Sequence, residues 1–429
     1  MTQAIFKFGY NVLINLVTWF FGYLATNHHS PLYRLFGIKM RLFIDGQKTS
    51  KKAIKQTFAN KQGRVDYWFH CASLGEFGIA RPIMNKLHDE GRSIVLTFFS
   101  STGVEALANK SVAYTGADHI YYLPLDTKRN VRSFLDALAP KKAVFIKSEF
   151  WMNYLNELYR RDIPTYLVSA YFTEKSVLNK WYGGVFRNLL KTFSRIYTQD
   201  FESVTRLDTI GYHDAIVTGD ALYDNAVANS LSPYENDIVK RFCNTAKQGV
   251  LVAGSIDTKH DLLLVAQVVN NHPDRKFIVV PHEVDKKHMQ QVTAALSVKT
   301  MCYADCNAST DFSEVNVLVI DYVGELAKLY RYGQLAYVGG GFTSLLHSVV
   351  EPAVYGLPVA FGPRIDRKAA PQLMIQSGFG AMVRNARELD TWYCQMMADE
   401  ERRLQLSAVA KELILSSAGK TAIIVRELE

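Results

Sequence analysis

The sequence predicts an α/β protein of two domains, each built around a parallel β-sheet, and three observations lead there. At 429 residues the chain is long enough for two domains with full hydrophobic cores. Short apolar runs alternate with amphipathic stretches of about ten residues or more, and this alternation recurs twice, on either side of a polar, turn-rich passage at residues 212–225. Residues 334–363, QLAYVGGGFTSLLHSVVEPAVYGLPVAFGP, read as one complete strand–turn–helix–strand unit of such a sheet.

In that unit an apolar strand from Leu335 to Val338 stops at Gly339, Gly340 and Gly341. A polar turn and a short helix at about 349–355 follow, and a second apolar strand begins after Gly356–Leu357–Pro358. Pro352 fits only in a first helical turn, so the helix starts no earlier than about Ser348. His347 then stands at the mouth and Glu351 one turn in. Ligands of parallel sheets bind beyond the carboxyl ends of the strands, where glycine lets a ligand approach the backbone. A nest of free N–H groups beside the Glu351 carboxylate suits a phosphate with a ribose next to it. The plain alternative is that the glycines only make a turn.

The first domain begins at Val65. VDYWFHCAS is a buried strand, Ser73–Gly78 its turn, and a helix follows that ends at Gly91. SIVLTFFSS, HIYYLPLD, KAVFIKSEFW and DIPTYLVSA continue the strands, with helices over TGVEALANK, KRNVRSFLDALAP and 153–161. Glu76 lies in a glycine-flanked turn at a strand's carboxyl end, where burial would raise its pKa toward that of a general base. An acidic residue in a first helical turn also needs no more explanation than the helix dipole. Glu149 occupies the matching place after KAVFIKS, so two carboxylates stand at strand ends of one sheet. Ser73 and Gly75 in the first turn, and Ser101 in the next, are candidate substrate contacts; helix capping is the simpler role for Ser100, Ser101 and Thr102.

The second domain restarts at QGVLVAGSIDTKHDLLLVAQVVN, with Ser255 or Asp257 as the expected N-cap. Its strand ends supply Ser255, His282, Gly324–Glu325 and the Gly339–Glu351 segment, potentially along one rim. After Ala386 the chain is helical, and it is expected to pack back across both domains. The expected organisation is an anchor at 1–30, a first Rossmann-like domain at 31–220, a second at 221–405 and a returning C-terminal helix at 406–429.

Composition narrows the partners. Five scattered cysteines, an odd number, argue against a disulfide framework and for a reducing compartment. Cys302 and Cys306 have ligand-like spacing, but nothing completes a zinc site, so no metal is expected. The formal charge of +8 asks for an anionic partner. No zinc-finger, RNP or basic-helix pattern appears, which leaves an anionic membrane surface over nucleic acid. Residues 8–27 carry no formal charge and are rich in Phe, Leu, Val, Tyr and Trp, about enough to span a bilayer or lie in its interface. Arg34, Lys39, Arg41, Lys48, Lys51 and Lys52 follow, against Lys7 alone before, which puts the main body on the cytoplasmic side. Nothing in the sequence fixes an oligomeric state.

Two Rossmann-like domains facing a cleft, with a nucleotide-type rim on the second, is the GT-B glycosyltransferase plan. Within it the motifs resemble the Kdo transferases (3-deoxy-D-manno-octulosonic acid transferases) of lipopolysaccharide assembly. HCASLGEFGIARPI resembles the family's HAxSxGE segment; LTFFSSTG, YYLPLD, KSEFW-MN, VLVIDYVGELAKLY, VGGGF, HSVVEP and GLPVAFGP follow in family order. The resemblance implies metal-independent, cofactor-free, inverting transfer of Kdo from CMP-Kdo to a lipid A precursor at the cytoplasmic face of the inner membrane. It implies that Glu76 is the general base and Glu149 the second acid. It places Ser255, His282, Gly324, Glu325, Gly340, Gly341, His347 and Glu351 on donor-binding segments, with Glu351 at the ribose. The chain departs from the family at Lys147, where an acid is usual, at His282 and Ser348, near Tyr171 where an arginine is common, and in the TSLL turn before His347. Two other readings are a GT-B enzyme using a nucleotide-diphosphate sugar and a membrane-bound binding protein that has lost catalysis.

Overall fold

The computed structural model describes residues 2–26, 38–59, 65–180, 183–343, 346–366 and 368–429. Arg34 of the expected basic flank, and Ser344 and Leu345 of the TSLL turn, lie outside the described residues. The chain forms two units, Met1–Ala221 with Lys420–Glu429, and Leu222–Gly419.

Unit 1 contains a parallel sheet of strands β1 (Tyr67–Cys71), β2 (Ile94–Phe98), β3 (His119–Tyr122), β4 (Lys142–Ile146), β5 (Thr165–Ala170), β6 (Arg195–Thr198) and β7 (Ala215–Val217). Their order is β3-β2-β1-β4-β5-β6-β7. The chain therefore turns one way from β1 to β2 and the other way to β4, a switch point between β1 and β4. β1 and β2 are buried at every residue because helices cover both faces, which is why these strands read as continuous apolar runs. Trp68 of β1 is fully buried against Phe134, Phe145 and Tyr154, with ring centroids 4.9, 5.3 and 5.4 Å away.

The helix Thr2–Thr26 docks one face on unit 1 through polar contacts. Lys7 Nζ donates to Asn156 Oδ1 at 2.8 Å, the Tyr10 hydroxyl to Asp126 Oδ2 at 2.6 Å, and Asn153 Nδ2 to Asn11 Oδ1 at 3.1 Å. Its other face leaves Phe8, Leu13, Leu16 and Trp19 exposed. The next helix, Ile38–Phe58, does not stand out in the sequence because its apolar stripe is thin. It is fixed instead by Ile44, Ile54 and Phe58 and by buried Gln47, whose amide bonds Leu123 O at 2.5 Å and Leu125 N at 3.2 Å.

Unit 2 repeats the design with β8 (Val250–Ile256), β9 (Lys276–Pro281), β10 (Thr300–Cys302), β11 (Val317–Val319), β12 (Leu335–Val338), β13 (Val359–Phe361) and β14 (Gly380–Met382), ordered β10-β11-β9-β8-β12-β13-β14. Its switch point falls between β8 and β12. The expected polar passage at Cys302 is the end of an edge strand, followed by a 3-10 turn at Tyr303–Asp305. The residues after Ala386 form three helices, Ala386–Ala398, Glu400–Ser417 and Lys420–Leu428. Asp399 caps the second, accepting from Arg402 N at 2.9 Å, and Gly419 (φ 84°) ends it. The last helix belongs to unit 1, where it packs on the helix Leu74–Asp89. The hydroxyls of Tyr67 and Tyr197 and the Lys142 ammonium take its terminal carbonyls.

Candidate active site

In unit 1 the residues that matter sit at the carboxyl ends of β1 and β4, the switch point of the sheet. The helix after β1 starts at Leu74, so the expected turn is already helical and Glu76 is in its first turn. Ser73 is the N-cap by backbone conformation only: its carbonyl accepts from Glu76 N and Phe77 N, both at 3.1 Å, while its side chain makes no cap bond and stays exposed beside Gly75. The Glu76 carboxylate folds back to accept from Ala72 N. Burial first and then the Glu149 carboxylate push the Glu76 pKa up to about 7, against the opposing Ala72 N–H and Lys147 ammonium. Ser100 caps the helix Ser101–Leu107, accepting from Gly103 N at 3.3 Å, which puts half-buried Ser101 in that helix's first turn.

Glu149 is held from behind by residues that sequence reasoning did not single out. Trp151 Nε1 donates to Glu149 Oε2 at 2.7 Å and lies 3.1 Å from Nε2 of fully buried His70. His70 Nδ1 faces the Thr97 carbonyl at 3.2 Å, which can only accept, so Nδ1 carries the proton and Nε2 presents its lone pair to Trp151. Thr97 is in turn bonded by Trp68 Nε1 at 2.8 Å. This buried chain fixes the position of the Glu149 carboxylate near Glu76. Lys147, where the resemblance leads one to expect an acid, has φ 65° and donates its N–H to Val168 O at 2.8 Å. Replacing Lys147 with Met removes one opposing cation, so the Glu76 titration is expected to move to higher pH, detectable as an alkaline displacement of the pH–rate midpoint or by carboxyl NMR.

In unit 2 the expected cap is corrected. Neither Ser255 nor Asp257 caps the helix Lys259–Asn271; Thr258 does, in a reciprocal box with Asp261. β8 runs on to Ile256, and Ser255 takes φ 53° there. Gly339 passes so close that a Cβ on it would lie 2.1 Å from the Ser255 carbonyl oxygen. Asp261, fully buried, accepts from the Tyr337 hydroxyl at 2.7 Å, from Thr258 Oγ1 at 2.7 Å and from Gly340 N at 3.2 Å. Gly339 N bonds Gly254 O at 3.0 Å. The anion nest expected of the glycines is therefore not formed by Gly339 and Gly340, whose N–H groups serve the fold, with a carboxylate under the turn. Gly341 is buried against Gly362. The T-x-x-D spacing was the signal that could have found Asp261.

The ligand-type side chains of this rim gather beside the turn. His347 N bonds Gly339 O at 3.1 Å, and its ring lies 4.6 Å from that of exposed His282. Asp257 Oδ2 is 4.0 Å from His347 Nε2, which has no hydrogen-bond partner among the described residues. Burial, then His282, pushes the His347 pKa down to about 4, so this imidazole is neutral at pH 7. Asp257, His282 and His347 place one ligand atom each within 4.8 Å of one another and could hold a cation. Glu351 is half-buried in the first turn of the helix Val350–Ala353, near the buried Tyr330 phenol. Glu325 follows exposed Gly324 (φ 105°) but is tied into a phenol cluster, accepting from the hydroxyls of Tyr234 at 2.6 Å and Tyr322 at 3.1 Å. These bonds leave its carboxylate an anchor for the turn.

Two seven-stranded parallel sheets with functional groups at their switch points define the class, and solved structures agree. The calicheamicin glycosyltransferase CalG4 superposes with a TM-score of 0.52 at 13% identity, covering 85% of this chain and 97% of that one. UDP-GlcNAc 2-epimerase from Neisseria meningitidis gives 0.56 at 14% identity, covering 83% and 99%. The fold is GT-B. Residues 41–225 match the family described as 3-deoxy-D-manno-octulosonic-acid transferase (kdotransferase). The 3-deoxy-D-manno-octulosonic acid transferase of Aquifex aeolicus is 28% identical over 350 residues, 80% of this chain and 89% of that protein. A bifunctional glycosyltransferase/methyltransferase of Fusobacterium nucleatum is 24% identical over 91% of this chain, which spans 63% of that protein's length. These matches make the chain similar to the Kdo transferases over most of its length, and they support a glycosyltransferase.

Proposed function

We propose that the chain transfers Kdo from CMP-Kdo to a lipid A precursor, with inversion at the anomeric carbon and no cofactor. Glu76 carries this reading: a carboxylate whose pKa of about 7 matches a base working near neutral pH, at the switch point of unit 1. In this scheme Glu76 takes the proton of the acceptor sugar hydroxyl as its oxygen attacks the Kdo anomeric carbon, and CMP leaves with the bonding electrons. Glu149 helps to keep the Glu76 pKa high, and Ser73, Gly75 and Ser101 contact the acceptor. The donor falls to unit 2: Glu351 to the ribose, with Ser255, His282, His347 and the Gly324–Glu325 and Gly340–Gly341 turns around the cytidylate and Kdo. In this scheme a ring N–H of neutral His347 donates to the departing phosphate, with the His282 ring packed beside it. Incubation with CMP-Kdo generated in place and a tetraacylated lipid A precursor, followed by mass analysis, tests the reaction. A mass increase of one or more Kdo residues is expected. Transfer from a UDP-sugar with CMP-Kdo inert would overturn the assignment.

The same proposal puts the protein on the cytoplasmic face of an inner membrane. The helix Thr2–Thr26 is long and apolar enough to cross a bilayer by composition. Its bonds to Asn156, Asp126 and Asn153 favour an in-plane position, with the exposed Phe8, Leu13, Leu16 and Trp19 entering the interface. Changing Leu16 and Trp19 together to Glu is expected to weaken sedimentation with anionic vesicles on the order of 100-fold, from the loss of two buried apolar groups.

A further inference from the structure

Unit 2 carries a second cluster of ligand-type side chains that the transfer reaction does not use. His272 follows the helix Lys259–Asn271 and precedes β9, so it stands at the amino ends of the strands, the opposite edge of the sheet from Ser255 and His347. Asp390 and Cys394 lie one turn apart on the helix Ala386–Ala398, the i, i+4 spacing that puts two ligand atoms on one helix face. The two helices are locked together on the sheet by buried Val265, Val269, Leu389 and Tyr393, and the Tyr393 ring lies 5.0 Å from the His272 ring. The backbone positions of all three groups are therefore set by the core.

Their side chains converge on one point. His272 Nε2 is 2.9 Å from Asp390 Oδ1 and 3.6 Å from Cys394 Sγ, and the three ligand atoms lie within 4.8 Å of one another. A Cys–His–Asp set suggests a nucleophilic triad first, but the geometry contradicts it. In a triad the acid and the thiol meet different ring nitrogens; here both face Nε2. Convergence of S, N and O atoms on a shared centre is what a metal ion requires. In a tetrahedron with Zn–S of about 2.3 Å and Zn–N and Zn–O of about 2.0–2.2 Å, the S···N edge is about 3.6 Å and the N···O edge about 3.4 Å; the first is as found, and the hydrogen-bonded His272–Asp390 pair at 2.9 Å has to open slightly to admit the ion. Cys394 is exposed, which leaves room for a water in the fourth position. Arg275, the nearby cation, is engaged by Asp274 at 3.3 Å and by Gln248.

We propose that His272, Asp390 and Cys394 form a zinc site that staples the helix Ala386–Ala398 to the end of the helix Lys259–Asn271, remote from the transfer chemistry. Thiolate with imidazole selects zinc over magnesium or calcium, which prefer all-oxygen sites. The test uses the full-length protein, stripped of metal and then titrated with Zn2+ or Co2+. One equivalent of zinc is expected to survive dialysis and to raise the melting temperature. Co2+ should give the near-ultraviolet thiolate-to-cobalt absorption that only a sulfur ligand produces. Cys394→Ser should abolish that absorption and Asp390→Asn should weaken zinc retention. The Cys302→Ser/Cys306→Ser variant should keep both, and His282→Gln should leave the absorption intact, which separates this site from the rim histidines. Wild-type protein that retains no zinc, or an absorption that persists in Cys394→Ser, overturns the proposal.

Discussion

Glu76→Gln is expected to lower the transfer rate by about 10²–10⁴-fold, the range lost when a positioned general base is removed, while leaving CMP binding intact. The amide keeps the size of the carboxyl and can still accept from Ala72 N, so the first turn of the helix Leu74–Asp89 retains its geometry. What it cannot do is take a proton. Product formation from CMP-Kdo, measured with saturating donor, checks the rate, and CMP affinity by calorimetry checks the fold of unit 2. Retention of full activity would remove Glu76 from its role and leave Glu149 as the candidate base.

The same substitution has a stability consequence of opposite sign. The folded pKa of Glu76 is about 7 against an ordinary value of 4.5. An acid whose pKa is raised by folding holds its proton better in the native state, so native stability falls as pH rises from about 4.5 through 7. Above that window the full cost applies, about 3 kcal/mol for a shift of this size. Glu76→Gln removes it. The variant is expected to be more stable than the native protein at pH 8 and close to it at pH 4, as read from urea midpoints. A group placed for catalysis at the expense of stability behaves this way.

The fold was legible because its strands are buried on both faces and its helices are amphipathic, two patterns carried by local composition. The places of Glu76 and Glu149 were legible, each just beyond the end of an apolar strand. What could not be read is what depends on contacts between distant segments. His70 reads as one more residue of a buried strand; only the fold brings Thr97 and Trp151 to its two nitrogens. The three glycines suggest a phosphate nest, yet two of their N–H groups turn inward, toward Gly254 O and the Asp261 carboxylate 79 positions before Gly340. Glu325 reads as a rim acid until Tyr234, 91 residues earlier, is found bonded to it. The helix Ile38–Phe58 is missed because buried Gln47 and Ser50 occupy places where apolar residues would advertise it.

Asp261 is where this long-range wiring has its largest expected effect. Asp261→Ala is predicted to destabilise unit 2 by about 3–5 kcal/mol, because it strands several donors at once in a buried place. The Tyr337 side chain is wholly buried on β12 and its hydroxyl has its carboxylate partner at 2.7 Å; Gly340 N and the Thr258 N–H and hydroxyl face the same group. The fold must then either bury unpaired donors or open the turn after β12 to water. Opening that turn displaces the backbone that carries His347, whose N–H is bonded to Gly339 O. Weakened CMP binding should therefore accompany the stability loss, even at temperatures where the variant is folded. Asp261→Asn keeps one acceptor oxygen but turns an NH2 toward the remaining donors, so it should fall between the native protein and the alanine variant in both measurements. Adding Tyr337→Phe to Asp261→Ala removes one stranded hydroxyl and should recover part of the loss. If the double variant is no more stable than Asp261→Ala, the buried Tyr337 hydroxyl is not what the carboxylate protects, and the turn must be held by other means.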